Sequence, residues 1–173
     1  MTDKQQRILA HGLALFASRG YSATSTNEVA KQAGVSEGLI FRHFKNKEGL
    51  LAAILDEGDQ KVKQLYRQII QQPEPLKVIQ AFLELPFTVP EPEYSFWKLL
   101  FTLKWELNVD SSEKIKPLKT ALIQAFTDLS RPHPEMEAEF LIHYMDGLIS
   151  AIVKGEVKAT AALKKYLRQK YNV

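Results

Sequence analysis

The chain has 173 residues, of which 45% are hydrophobic and none is cysteine, and a formal net charge of +3. The length is ample for a buried core in one domain or two, and the absence of cysteine excludes disulfides and thiolate metal sites, as suits a reducing cytosol. No apolar run approaches the roughly 18 residues of a membrane span, and Met1-Thr2-Asp3-Lys4 lacks the apolar core of a signal peptide, so a cytoplasmic protein with no membrane partner is expected.

The charge is unevenly placed. Residues 1–50 carry seven basic side chains (Lys4, Arg7, Arg19, Lys31, Arg42, Lys45, Lys47) against four acids (Asp3, Glu28, Glu37, Glu48), and the rest of the chain carries sixteen of each. A small basic head on a neutral body is the footprint of phosphate binding.

In chain order, Ile8, Leu9, Leu13, Phe16 and Ala17 recur at helical spacing, and Arg19-Gly20 closes that first helix. Ser25 with Glu28 three residues on forms a capping box, and the helix it opens runs through Val29, Ala30 and Ala33 to Gly34. Ser36 begins a third helix carrying Leu39, Ile40 and Phe44. Asn46 caps a fourth, which continues to the break at Pro73 and Pro75. Further helices are predicted near 75–86, 94–108, 111–129, 134–155 and 157–171, with a loop holding Pro86, Pro90 and Pro92 among them. Strand alternation, internal repeats and low-complexity tracts are absent, so the fold class expected is all-α.

Thr24 to Phe44 is the informative stretch. Two short helices joined by Ala33-Gly34-Val35-Ser36 must cross sharply, which turns the second outward where it can enter a major groove. Ser36, Glu37, Leu39, Phe41, Arg42 and His43 fall on or beside its outer face. Apolar and aromatic side chains exposed next to an arginine want a partner.

Three runs carry a family resemblance: Gly20-Tyr21-Ser22-Ala23-Thr24-Ser25; Glu28 through Ser36, with an A-x-x-A-G-V-S turn; and Gly38-Leu39-Ile40-Phe41-Arg42-His43-Phe44-Lys45-Asn46-Lys47-Glu48-Gly49-Leu50. Together they resemble the DNA-binding domain of TetR-family regulators over residues 7–55, without a gap. The resemblance implies an N-terminal three-helix head with its helix-turn-helix at 25–44, and a C-terminal helical bundle for ligand binding and dimerisation. The boundary is expected at 47/48, with the helix 46–71 connecting the two parts.

The resemblance also implies roles. Thr24, Ser25 and Thr26 would bind a phosphate at the start of the second helix, and Ser36 would do the same at the third. Gly38 would allow close approach to the DNA, Leu39 would meet a thymine methyl, and Arg42 would reach guanine or a phosphate. Phe41 replaces the tyrosine common in the family, His43 stands where tyrosine or histidine is usual, and Lys47 is the phosphate clamp. Glu37 is awkward, because an acid near phosphates is repelled. It could accept a hydrogen bond from cytosine N4, but the simpler role is to favour the helix dipole and point aside.

No catalytic or metal-binding constellation occurs, and no enzyme activity or cofactor is expected. Trp97, Phe101 and Trp105 share one face of a helix that is apolar almost all round. With Phe82, Phe126 and Tyr144 they would wall a pocket for an apolar or aromatic inducer, although plain core packing explains each one singly. Gly147, Ala151 and Gly155 form a small-residue stripe that, by the resemblance, belongs to a homodimer seam completed by Leu163, Tyr166 and Leu167. The expected partners are a palindromic operator duplex, a second copy of the chain and a small molecule. The rival reading is an all-helical small-molecule-binding or scaffold protein that does not bind DNA.

Overall fold

Thr2 accepts a hydrogen bond from the Gln5 amide while the Gln5 side chain accepts one from the Thr2 amide, and this capping box starts α1 (Asp3–Arg19) five residues before the first core position, Ile8. The computed structural model describes residues 1–106 and 112–173, with the backbone alone at 104–106. Among the described residues every regular element is helical. The chain divides into two compact units, Met1–Val62 with Pro92–Asn108, and Lys63–Glu91 with Val109–Val173.

The first unit holds α1, α2 (Thr26–Ala33), α3 (Glu37–Phe44), the first part of α4 (Lys47–Ile70) and α6 (Tyr94–Glu106). Ser25 and Glu28 form the expected capping box at the start of α2, and Gly34 ends that helix with φ of 64°. α3 stops at Lys45. Asn46 then accepts a hydrogen bond from the Gly49 amide at 2.7 Å and caps α4. A side chain at position 49 would collide with the carbonyl oxygen of Phe44, so glycine is what lets this turn close. Ile8, Phe16, Val29, Ala30, Ile40, Leu50 and Ile54 form one buried core, and Leu99 and Leu103 of α6 belong to it. The unit found therefore departs from the boundary expected at 47/48. It takes in part of α4 and, from far along the chain, α6.

The second unit comprises the remainder of α4, α5 (Pro75–Glu84), a 3₁₀ turn at Leu85–Phe87, α7 (Ser112–Asp128), α8 (Pro134–Lys154) and α9 (Ala161–Tyr171). α7 packs on α8 and α5, and α9 on α5. Their apolar stripes meet in a core containing Ile79, Phe82, Leu83, Leu118, Leu122, Phe126, Leu141, Met145 and Leu167. On the edge of this core Lys164 and Arg168 approach Glu84 at 3.1 and 3.8 Å. Burial works against ionisation of Glu84, yet hydrogen bonds from Gln80 and Lys164 and the two cationic charges hold its carboxyl below the usual range.

Candidate nucleic-acid interface

The outer face of α3 is open. Phe41 is 46% exposed, Arg42 is exposed with no hydrogen bond or ion pair to the described residues, and a Cβ added at Gly38 would meet open space. The inner face is held by Ile40, which is fully buried, and by half-buried Phe44; Leu39, expected on the outer face, is half-buried against the same core and lines the hollow beside Ser36. Ser36 stands at the N-cap of α3 without making a side-chain cap, so its hydroxyl and the first amides of the helix are free for an acceptor. Beside it lies an open hollow of about 430 Å³ lined by Lys4, Lys31, Gly34, Val35, Ser36 and Leu39 among others. Two lysines and a helix N-terminus around one concavity suit a phosphate.

Three hydroxyls expected to meet DNA are engaged within the head. Thr24 is only 1% exposed, and its Oγ1 lies 3.0 Å from the Gly20 carbonyl oxygen and 3.4 Å from that of Leu15. It ties the end of α1 to the start of α2 and is closed to a phosphate, which corrects the expectation for this residue. Ser25 caps α2 and donates to Glu28 at 3.0 Å. Thr26 donates to Glu37 Oε1 at 2.6 Å. Glu37 turns toward α2, and its second oxygen accepts from Asn27 Nδ2 at 3.4 Å.

His43 is held from an unexpected quarter. The Gln5 side-chain amide donates to its Nδ1 at 3.2 Å, across from α1. Gln5 was not among the residues that the sequence pointed to. Lys47 lies with Nζ 4.3 Å above the Tyr21 ring and donates to the Ser22 carbonyl at 3.5 Å. Tyr21 in turn donates to Glu48, and its hydroxyl pKa is raised by burial first and by Glu48 second. The ring thus carries the Lys47 ammonium at the N-terminus of α4.

The aromatic set proposed for a pocket divides between the two units. In the first, Trp97 is buried edge-on to Phe96 at 5.6 Å, and its Nε1 finds no hydrogen-bond partner among the described residues. Phe101 is half-buried, and the Trp105 side chain lies outside the described residues. In the second, Phe82 and Phe126 are core, whereas Tyr144 is 39% exposed and stacks on Phe140. Tyr66 has its hydroxyl pKa pushed up to about 12, by burial first and then by the charge of Asp146.

Of the residues assigned to a dimer seam, Gly147 and Tyr166 are exposed, and Ala151 and Leu163 are half-buried. Gly155 ends α8 with φ of 79°. Leu167 is turned into the chain's own core and is closed to a partner. Sequence reasoning missed Met136 and Phe140, which are 70% and 56% exposed and run with Tyr144 and Gly147 along one outer stripe of α8. Their i, i+4 spacing was legible, but their outward direction was not.

Residues 8–54 match the model of the family described as bacterial regulatory proteins, tetR family. Over 57 residues the chain is 47% identical to the uncharacterized HTH-type transcriptional regulator YvkB of Bacillus subtilis (strain 168), covering 33% of this chain and 30% of that protein. The match thus spans about a third of each. A transcriptional regulator of the TerR/AcrR family from Aquifex aeolicus VF5 superposes with a TM-score of 0.70 at 25% identity, over 98% of both chains. A regulator from Saccharomonospora viridis, solved in complex with choline, reaches a TM-score of 0.79 at 17% identity over 99% of this chain and 97% of that one. At that identity the likeness concerns the fold alone.

Proposed function

We propose that the chain, which belongs through residues 8–54 to the tetR family of bacterial regulatory proteins, is a sequence-specific DNA-binding transcriptional regulator of the cytoplasm. It binds a palindromic duplex as a homodimer and represses until a small molecule releases it. The observation that carries this reading is the open face of α3, where Phe41, Arg42 and Gly38 stand clear beside the basic hollow at Ser36. A recognition helix needs such a face, and a scaffold helix would cover it. Two heads about 34–36 Å apart would meet successive major grooves. Selection of duplexes from a random pool, followed by a salt titration of the winner, tests the reading. A palindromic consensus and an affinity falling steeply with salt are expected. Binding that is flat between low and physiological salt would reject it.

The releasing ligand acts on α6. Trp97 supports this: its buried indole N–H finds no partner among the described residues, an unmet donor costs about 1–3 kcal/mol, and an acceptor-bearing aromatic molecule would satisfy it. Leu99 and Leu103 of the same helix sit in the core of the head, so a shift of α6 is felt by α1 and α4 directly. Both tryptophans of the chain lie on this helix, so a ligand should change their emission as it releases DNA. Trp97→Phe should blunt both responses without lowering operator affinity. An unchanged ligand response in that variant would place the sensor elsewhere.

A further inference from the structure

Glu37 is the single acid of α3, and it is held by two donors from α2. The Thr26 hydroxyl donates to Oε1 at 2.6 Å and the Asn27 amide to Oε2 at 3.4 Å. We propose that Glu37, oriented by Thr26 and Asn27, is a specificity determinant that accepts a hydrogen bond from the N4 amino group of one cytosine in each half-site. The inference rests on the DNA-binding reading above and deepens it.

The placement decides the role. Glu37 is the first residue of α3, and the N-terminal residues of a recognition helix are the ones that contact base edges. It is half-buried between the two helices, so the carboxylate does not sweep through solvent. Two donors fix its plane, and the entropy of orienting it is lost on folding and not on binding. Each oxygen has a lone pair left over after its internal bond.

Charge and lone pairs then select the base. A carboxylate offers only acceptors, and phosphates are repelled. In the major groove guanine presents N7 and O6 and thymine presents O4, all acceptors. The donors there are the amino groups of cytosine and adenine. Adenine sets its N7 acceptor beside that amino group, facing the second carboxylate oxygen, whereas cytosine has no such acceptor. Cytosine is therefore preferred over all three others. Thr26 and Asn27 are positioning residues, and their engagement explains why the Thr26 hydroxyl is withdrawn from phosphate binding.

The test compares full-length wild type, Glu37→Gln and Thr26→Val in duplex selection from a random pool, with affinities then measured by fluorescence anisotropy. The wild type should enrich cytosine at one position of each half-site, with a preference of about tenfold. Glu37→Gln should shift that position alone toward adenine, because glutamine donates and accepts in the pattern adenine offers. Thr26→Val should keep cytosine with a smaller preference. Replacing that cytosine in the wild-type operator by pyrimidin-2-one, which lacks the amino group, should weaken binding about tenfold whatever the variants do. Identical selection profiles for wild type and Glu37→Gln, or full affinity for the pyrimidin-2-one duplex, overturn the proposal while leaving DNA binding intact. A wild type that enriches no duplex overturns the DNA-binding reading and this proposal with it.

Discussion

The ring of Phe96 occupies the place where a side chain on Gly58 would stand, its Cε2 and Cζ well inside contact distance of a Cβ built there. Gly58 lies in the middle of α4, where glycine costs about 1 kcal/mol relative to alanine. The close approach of α6 to α4 within the first unit is what this residue makes possible.

Gly58→Ala should therefore destabilise the protein despite the better helix propensity. Overpacking of this kind costs about 1–3 kcal/mol, and shortening the ring with Phe96→Leu should recover part of it. Urea unfolding of the two single variants and the double variant measures the coupling. Additive effects would mean that the two residues do not share this space.

Lys47 and Arg42 should fail differently. Lys47→Ala removes a cation from the N-terminus of α4 and should weaken binding to all duplexes alike, lowering the salt slope by about one. Arg42→Ala should cost about 1–3 kcal/mol on the preferred duplex and relax the preference at one base pair. Anisotropy titrations at several salt concentrations on two duplexes separate the cases, and a uniform loss from Arg42→Ala would make it a phosphate contact.

The outer stripe of α8 should hold two copies of the chain together. Phe140 and Met136 are large apolar side chains with more than half their surface exposed, and Gly147 leaves the stripe flat. Phe140→Glu and Ala151→Glu should sediment as monomers, with operator affinity falling because the two heads lose their fixed spacing. Sedimentation velocity is the check. A dimer in both variants would move the interface off this face.

Acid should loosen the second unit through Glu84. Its pKa is lowered in the folded chain, so the stability it contributes is present above the ordinary carboxylate pKa and is lost as the pH falls through its own lower value. The difference in urea midpoint between wild type and Glu84→Gln should therefore be clear at pH 7 and shrink below about pH 4. A difference that grows with acid would reverse the sign of this argument.

Local chemistry was legible in the sequence and long-range packing was not. The Ser25–Glu28 capping box, the stop at Gly34 and the Asn46 cap depend on neighbours within a turn, and the spacing displays them. Thr24 was expected to face DNA, but its direction depends on where the carbonyls of Leu15 and Gly20 come to rest. Glu37 bonds residues ten and eleven positions away, across a turn whose angle no propensity specifies. Tyr144 and Leu167 lie on amphipathic helices whose rotation about their axes is decided by packing: one turns outward and the other inward.

The presence of Leu99 and Leu103 in the core of the head bears on how such proteins diversify. The stretch recognisable as a shared module ends at residue 54, yet its apolar interior is completed by a helix that begins forty residues later. Cut after Val62, the head would expose to water the side chains that α6 covers, at about 25 cal/mol for each Å² of apolar surface uncovered. The stretch that the family model matches is thus smaller than the unit that folds. A head transplanted onto another body must bring, or find there, a substitute for this one helix, and its helix-facing positions on α1 and α4 should drift in step with whatever body they adopt.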